Sequence, residues 1–233
     1  MKAAVYVGTR NLYDDMLPAV KSILINSDVD KVYLLIEDDR FPHDLPDCVE
    51  TINVSSQTFF RSNGPNYNLK WTYMTLMRAA LPKIFPDLDV ILSMDDDVIA
   101  LQDVSDLWDL PIEDYYFAAA EEPKKSKGGS DYKFPLYTQM GVVLFNLKKL
   151  REDGMCDRVI EALNAYWFSI AEQDCMNLLC QGKIYPMPGD YNATNYTKHS
   201  DHPKMIHYAA IPDWTHRREV DHYRNIPWEE IRK

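Results

Sequence analysis

Three consecutive aspartates, Asp95, Asp96 and Asp97, directly follow the apolar segment 90–94 (VILSM). Carboxylates this close repel one another, and a bound cation or protonation relieves the repulsion. Clusters of oxygen ligands suit hard cations such as Mg²⁺ and Mn²⁺. If the chain stays extended here, Asp95 and Asp97 face one side and Asp96 the other. The triplet alone is compatible with a divalent metal site and equally with an acidic turn or a helix cap.

The elements around the triplet predict an α/β fold. Helical patterns separate short apolar runs, and runs of this kind are typical of a mainly parallel sheet covered by helices on both faces. Open sheets of this class place their ligands at the carboxyl ends of strands, which is where the aspartates fall. The predicted strands are 3–8, 31–36, 50–54, 90–94, 117–120, 141–146 and 205–208. The predicted helices start near Asp14 and Asp15 and otherwise span about 70–81, 155–168 and 171–180.

The chain has 233 residues and a net charge of -11. The length predicts a single domain over 1–233 with a short tail from about 213. The acidic balance argues against nucleic acid as a partner, because a nucleic-acid binder needs a basic stripe. Lys124, Lys125 and Lys127 are a local exception, interpreted as a solvated loop or, alternatively, as a mobile lid or a substrate contact. An acidic protein that binds an anion needs a local source of positive charge, and a bound divalent cation can supply it.

The N-terminal segment and the spacing of the cysteines bear on the cellular compartment of the protein. No signal peptide and no segment of transmembrane length is apparent in the sequence, which predicts a soluble, cytoplasmic protein. The four cysteines, Cys48, Cys156, Cys175 and Cys180, show no metal-binding CxxC spacing. We therefore expect free thiols, with Cys175 and Cys180 in packing roles.

Five segments, in order, resemble glycosyltransferase family 8, the family of glycogenin and of bacterial lipopolysaccharide galactosyltransferases. They are VGTRNLY (7–13), LPKIFPDLDVILSMDDDVIALQDVSDLWD (81–109), TQMGVVLFNLKKLRE (138–152), AEQDCMNLL (171–179) and KMIHYAAIPDW (204–214). The resemblance implies the nucleotide-diphospho-sugar transferase fold of GT-A type, with a mixed, mostly parallel sheet of roughly seven strands. It also implies a retaining transferase that moves a hexose, glucose or galactose, from a UDP-sugar to an acceptor hydroxyl.

The resemblance assigns the metal site. Asp95 and Asp97 match the family's Asp-x-Asp motif, and His207 matches the histidine of its closing motif. These three residues would bind Mn²⁺ or Mg²⁺, which would bridge the diphosphate of the donor and stabilise the charge of the departing UDP. Without the motif, a lone histidine at 207 is more often a core or surface residue.

The resemblance also assigns residues that would bind the nucleotide-sugar donor. Gly8, Thr9 and Tyr13 would contact uracil and ribose, with Tyr13 stacking on the base; a helix cap or a surface contact is the alternative for Tyr13. Arg78 lies seventeen positions before Asp95, as the family's arginine does, and would bind the diphosphate or sugar hydroxyls. Asp96 is grouped with these donor-binding residues.

The sugar end of the site involves four more positions. Glu172 and Gln173 fall on the family's Asp-Gln pair near the anomeric carbon, where Glu172 would orient hydroxyls and the Gln173 amide would bond the sugar or a phosphate. Surface positions on a helix are the alternative for both. Gln139 replaces the family's asparagine, which leaves the choice of donor open, and Ala210 stands where the family often has glycine.

The closing motif lacks the family's phosphate-binding lysine, because Pro212 and Asp213 stand in its place. Lys204 or His216 would then substitute, or the diphosphate would bind more weakly. Retention is possible by double displacement or by front-face attack, in which the leaving phosphate takes the proton of the acceptor. No residue of the sequence identifies a nucleophile, so we favour front-face attack.

Other functions and the acceptor stay open at this point. A non-catalytic sugar-nucleotide-binding protein is the main alternative. A nucleotidyltransferase would need a Gly-rich basic loop, where this chain offers only Gly8 and Arg10. The sequence does not identify the acceptor, whether carbohydrate, lipid-linked or protein, and we expect it to meet loops 57–69, 121–135 and 190–203. The aromatic tail packs on the domain or touches a membrane, and the oligomeric state is not predicted.

Overall fold

The computed structural model describes residues 1–41, 44–69, 72–126 and 134–231. Its nine strands in these ranges are β1 Ala3–Val7, β2 Lys31–Ile36, β3 Val49–Asn53, β4 Val90–Met94, β5 Val98–Ala100, β6 Phe117–Glu121, β7 Thr138–Asn146, β8 Ile184–Met187 and β9 Met205–His207. The α-helices in the same ranges are α1 Tyr13–Asn26, α2 Thr72–Leu76, α3 Leu81–Ile84, α4 Pro123–Ser126, α5 Leu147–Glu152, α6 Met155–Ala165, α7 Ala171–Leu179 and α8 Arg218–Arg224.

Seven strands form one sheet in the order β3-β2-β1-β4-β7-β6-β8. The first four are parallel, β7 is antiparallel to both of its neighbours, and β8 is parallel to β6. A separate antiparallel pair joins β5 to β9. This architecture confirms the predicted mixed, mostly parallel sheet.

Both faces of the sheet are covered, as β1 illustrates. Its five residues, AAVYV, are all buried, because side chains alternate between two apolar layers. Val5 joins the layer that contains α6 and α7, whereas Tyr6 joins the layer that contains α1 and α8. The Tyr6 hydroxyl donates a hydrogen bond to the carbonyl of Ala19 in α1 at 3.1 Å. Helices on both faces are therefore confirmed.

The predicted helix over 70–81 is wrong in its continuity and its end. The described part consists of α2, a 3₁₀ turn at Met77–Ala80 and then α3; Lys70 and Trp71 lie outside the described residues. Pro82 was expected to end the helix, but it lies in the first turn of α3. Proline is tolerated there because the N–H groups of a first turn have no partner within the helix.

Two strands were not predicted. β5 has only three residues, too few to show an alternating pattern. β8 contains Pro186 and lies at the edge of the sheet, where a missing backbone donor is tolerated. The predicted helix over 155–168 ends earlier, at Ala165, and the predicted strand over 141–146 begins earlier, at Thr138.

The C-terminal tail packs on α1, which is one of its two predicted roles. The Tyr223 hydroxyl donates to the carbonyl of Ala100 at 3.1 Å and accepts from the Asn26 amide at 2.7 Å. The Lys21 ammonium donates to the Ile226 carbonyl at 2.6 Å and lies 4.9 Å from the ring centre of Trp228. Within the described ranges, no helix combines the length and the apolar character needed to cross a membrane.

All four cysteines are free thiols, as predicted. Burial raises the pKa of Cys175 and Cys180 to about 12. Both thiols lie in the core, which confirms their predicted packing role.

Candidate active site

A cleft of about 810 Å³ opens where β1, β2 and β4 end. Gly8 follows β1, Glu37 follows β2 and the three aspartates follow β4, and all of these residues line the cleft. The predicted position of the site, at the carboxyl ends of neighbouring strands, therefore agrees with the structure.

A turn in the backbone, and not an extended chain, brings the side chains of Asp95 and Asp97 together. The Asp95 N–H donates to the Gly141 carbonyl at 2.8 Å, and the chain then turns so that the Val98 N–H donates to the Asp95 carbonyl at 3.3 Å. The condition considered from the sequence, an extended triplet, is thus not met. Asp95 and Asp97 still face a common point, because the turn returns the chain into β5.

His207 reaches that point through the small β5–β9 pair. Val98 and His207 are partners in its register, and the Tyr208 N–H donates to the Asp97 carbonyl at 3.0 Å. The His207 side chain is 2% exposed. Its Nε2 atom lies 3.1 Å from Asp97 Oδ1 and 3.4 Å from Asp95 Oδ2.

These three side chains fit a hard divalent cation. One ligand atom from each of Asp95, Asp97 and His207 lies within 4.8 Å of the other two. Octahedral bonds of about 2.1 Å place adjacent ligands about 3 Å apart, close to the observed separations. Asp97 Oδ1 is buried and has no hydrogen-bond partner in the part of the chain that the structure describes. Asp97 Oδ1 and His207 Nε2 therefore lie close together without a hydrogen bond between them, which is the arrangement of two atoms that bind the same ion.

Arg78 lies between two carboxylates of the site. Its guanidinium forms an ion pair with Asp95 Oδ1 and lies 3.5 Å from Glu172 Oε1. It also donates to the Met140 carbonyl at 2.9 Å. The two oxygens of Asp95 therefore have different neighbours, Arg78 at Oδ1 and His207 at Oδ2. Arg78 lines the cleft as predicted, and its contact with a donor stays a prediction.

Burial dominates the titration of two carboxyls here. It raises the pKa of Glu172, and the positive charge of Arg78 opposes the rise. It also raises the pKa of Asp96 to about 7, with a further upward contribution from the charge of Asp97. Both residues line the cleft, where a cationic ligand would lower the cost of their ionisation.

The two predicted glutamines line the cleft, but their oxygens are bonded to protein groups. Gln173 Oε1 accepts from the Met140 N–H at 3.1 Å, and its amide donates to the Tyr137 hydroxyl at 3.0 Å. Gln139 Oε1 accepts from the Gly141 N–H at 2.5 Å and from the Asn192 amide at 2.7 Å. Their predicted sugar contacts stay predictions. Gln139 Oε1 already accepts two hydrogen bonds, whereas Gln173 Oε1 accepts one and can accept another.

The structure does not support the role predicted for Tyr13. Gly8 and Thr9 line the cleft, but Tyr13 does not and is only 2% exposed. Its hydroxyl accepts from the Glu37 N–H at 3.0 Å, and its ring packs against Phe41 with 5.1 Å between the ring centres. The Tyr13 side chain faces the core, so it positions Glu37 and does not form a cleft wall for a base.

Three residues at this end were missed by the sequence reasoning: Asn11, Leu12 and Glu37 line the cleft. Glu37 had a usable signal, because it directly follows β2 and strand ends carry the ligand sites in this fold class. Asn11 and Leu12 lie in a 3₁₀ turn before α1, and nothing in their residue types predicts this position.

The closing motif departs from the family pattern at two points, Ala210 in place of glycine and the missing lysine. Ala210 lines the cleft with φ of +56°, a conformation that favours glycine. Lys204 donates to Asp106 Oδ2 at 2.6 Å and to the Tyr191 hydroxyl at 3.1 Å, and neither it nor His216 is among the cleft residues. The predicted substitution of the missing lysine by Lys204 or His216 is therefore not supported.

The described walls of the cleft are strongly acidic. They contain the carboxylates of Glu37, Asp95, Asp96, Asp97, Glu122 and Glu172. Arg78 is the single lysine or arginine among the wall residues that the structure describes. Of the predicted basic loop, Lys124 is exposed, the side chain of Lys125 is not described, and Lys127 lies outside the described residues. A bound cation would therefore favour the entry of an anion past these described walls.

Comparisons with known proteins give a consistent result. The chain matches the family model described as Glycosyl transferase family 8 over residues 16–213. Glycosyltransferase GlyE of Streptococcus pneumoniae serotype 4 is 25% identical over 98% of this chain and 60% of its own length. Glycosyltransferase GlyA of the same organism is 22% identical over 99% of this chain, which spans only 36% of GlyA.

Solved structures agree in fold. A crystal structure of GlyE aligns with a TM-score of 0.71 at 20% identity, covering 98% of this chain and 62% of that one. An active-site mutant of LgtC aligns with a TM-score of 0.72 at 16% identity, covering 97% and 98%. These likenesses confirm the GT-A type fold. Because the family match covers most of the sequence, the chain belongs to glycosyltransferase family 8.

Proposed function

We propose that this chain is a retaining, metal-dependent glycosyltransferase that moves a hexose from a UDP-sugar to an acceptor hydroxyl. One observation carries the proposal: Asp95, Asp97 and His207 converge on one point of an otherwise acidic cleft. Family membership supports glycosyl transfer as the reaction class. We further propose that the sheet and its helices act as one catalytic domain, with the tail as a packing element.

Asp95 Oδ2, Asp97 Oδ1 and His207 Nε2 would hold Mn²⁺ or Mg²⁺. When bound, such an ion supplies the positive charge that binds a diphosphate and stabilises it as a leaving group. The carboxylates of the described walls make this charge necessary, since Arg78 already lies against Asp95 and Glu172. The same argument accounts for a cleft without a further lysine among the described wall residues.

The nucleoside would bind at the β1 end. Gly8 and Thr9 offer backbone groups there, and Glu37 offers a carboxylate that accepts hydrogen bonds from ribose hydroxyls. The Tyr13 hydroxyl holds the Glu37 backbone in place. The sugar would lie toward Gln139, Glu172 and Gln173, on the opposite wall.

Front-face attack agrees best with these contacts. Double displacement needs a carboxylate free to attack the anomeric carbon, and Glu172 is 6% exposed and lies against Arg78. In front-face attack, the bond from the anomeric carbon to the UDP oxygen breaks as the acceptor oxygen bonds on the same face. The proton of the acceptor passes to the departing phosphate oxygen.

The test is a donor panel. The protein is incubated with Mn²⁺ and with UDP-, GDP-, ADP- and CDP-sugars, with and without a library of carbohydrate, lipid-linked and peptide acceptors, and free nucleoside diphosphate is measured. Release of UDP from a UDP-glucose or UDP-galactose donor, abolished by chelation of the metal, supports the proposal. Metal-dependent UDP binding with no release under any acceptor would instead identify a binding protein.

A further inference from the structure

A chain of four buried polar groups runs from β7 to His207. The Gly141 N–H donates to Gln139 Oε1 at 2.5 Å, and the Asn192 amide donates to the same oxygen at 2.7 Å. Asn192 Oδ1 in turn lies 2.8 Å from His207 Nδ1. Asn192 has no exposed surface, so water does not compete for these bonds.

The direction of this chain is fixed at one end, because a backbone N–H can only donate. Gln139 must therefore present its oxygen to Gly141. Asn192 then has to present its NH₂ group to that oxygen, which leaves Asn192 Oδ1 facing the imidazole. An oxygen can only accept, so His207 Nδ1 must carry the proton. Reversing either amide would oppose two donors or two acceptors in a buried site.

We infer that Gln139 and Asn192 are positioning residues that hold His207 as its Nδ1–H tautomer. They are named here the Gln139–Asn192 relay. The relay leaves the lone pair of Nε2 directed toward Asp95 and Asp97, 3.4 and 3.1 Å away. Its value to the protein rests on the proposed metal-dependent function, because a ligating imidazole must be unprotonated at the metal side.

The backbone around the ring supports the same orientation. The His207 N–H donates to the Ala193 carbonyl at 3.0 Å, so the segment that carries Asn192 is tied to β9 beside the histidine. The relay also gives Gln139 a function that is independent of its predicted contact with the sugar. Gln139 Oε1 is committed to protein donors, whatever the amide N–H groups bind.

The direct test is ¹⁵N NMR of the histidine rings in metal-free protein, with the pH raised until the His207 ring signals no longer change, so that the neutral ring is observed. The His207 signals are assigned by their loss in His207→Gln. We expect a protonated Nδ1 and an unprotonated Nε2 in the wild type. Asn192→Leu and Gln139→Met should each shift His207 toward a mixture of tautomers.

Metal affinity gives a second readout that is independent of turnover. Calorimetric titration with Mn²⁺ should show at least about tenfold weaker binding in Asn192→Leu. A wild-type His207 protonated at Nε2 would overturn the inference. So would an unchanged tautomer and unchanged Mn²⁺ affinity in a folded Asn192→Leu or Gln139→Met. Failure of UDP-sugar turnover with the expected tautomer would count against the proposed function alone.

Discussion

Gly141 and His207 approach each other so closely that no side chain fits between them. A Cβ atom at residue 141 would lie 2.0 Å from His207 Cε1 and 2.4 Å from Nδ1. The glycine thus leaves room for the imidazole beside β7, with Nε2 toward the two aspartates. The close approach links the family's strand motif to its closing motif in a single contact.

Gly141→Ala should therefore displace the imidazole and weaken Mn²⁺ binding by at least about tenfold. Calorimetric titration measures the change. The control is a double-mutant cycle, since Gly141→Ala should have no further effect on Mn²⁺ affinity in a His207→Ala background. Equal losses in both backgrounds would show that the glycine acts through something other than the ring.

Asp97→Asn should abolish Mn²⁺ binding and most turnover while the fold remains intact. The charge holds the ion, and the amide has nearly the same volume. In metal-free buffer the free energy of unfolding should not fall, because the repulsion among the three aspartates is reduced. Asp87→Asn is the matched control, since Asp87 is exposed and precedes β4, whereas the triplet follows β4. Wild-type metal affinity in Asp97→Asn would contradict the assignment.

Arg78→Met should lower the free energy of unfolding by about 3 kcal/mol at neutral pH, because it leaves Glu172 and Asp95 without their cation. Urea denaturation measures the loss. Glu172 has a raised pKa in the folded protein, so the folded state binds its proton more tightly than the unfolded state. The contribution of Glu172 to the free energy of unfolding therefore falls as the pH rises above the pKa that Glu172 has in the unfolded chain.

The loss in Arg78→Met should accordingly be smaller at about pH 5 than at pH 7, where a buried Glu172 must ionise without its partner. Adding Glu172→Gln should recover part of the stability at neutral pH. A destabilisation of equal size at both pH values would argue that Arg78 acts through packing and not through charge.

Ala210→Gly should raise the free energy of unfolding by about 1 kcal/mol, because Ala210 holds φ of +56° and glycine adopts this conformation without strain. Ala209→Gly is the matched control. Ala209 is not among the residues with positive φ, so glycine there should destabilise by roughly 0.5–1 kcal/mol. Parallel urea titrations compare the two, and equal destabilisation by both would contradict the strain at 210.

The sequence predicted those parts of the fold and site that depend on local pattern. The buried runs of β1, β2 and β4 follow from their apolar residues, and the convergence of Asp95, Asp97 and His207 follows from the two motifs that contain them. The sequence gives no sign that the Tyr13 side chain faces the core. The apolar spacing of 70–81 predicts a continuous helix because it does not reveal the 3₁₀ turn at Met77–Ala80.

Asn192 could not have been found from sequence. Its role depends on the contact of β7, the 192 segment and β9, which lie far apart along the chain. An asparagine in a predicted loop is ordinary, and only the buried hydrogen bonds give it significance. The same holds for Gln139, whose residue type indicated a ligand contact and not a bond to Asn192.

The central claim is that one divalent ion binds to Asp95, Asp97 and His207. Electron spin echo spectroscopy of bound Mn²⁺ tests it most directly, because it detects an imidazole nitrogen coordinated to the ion. We expect one Mn²⁺ per chain with nitrogen modulation from a single histidine, and loss of that modulation in His207→Ala. Bound Mn²⁺ without a coordinated nitrogen, or modulation that persists in His207→Ala, would contradict the claim.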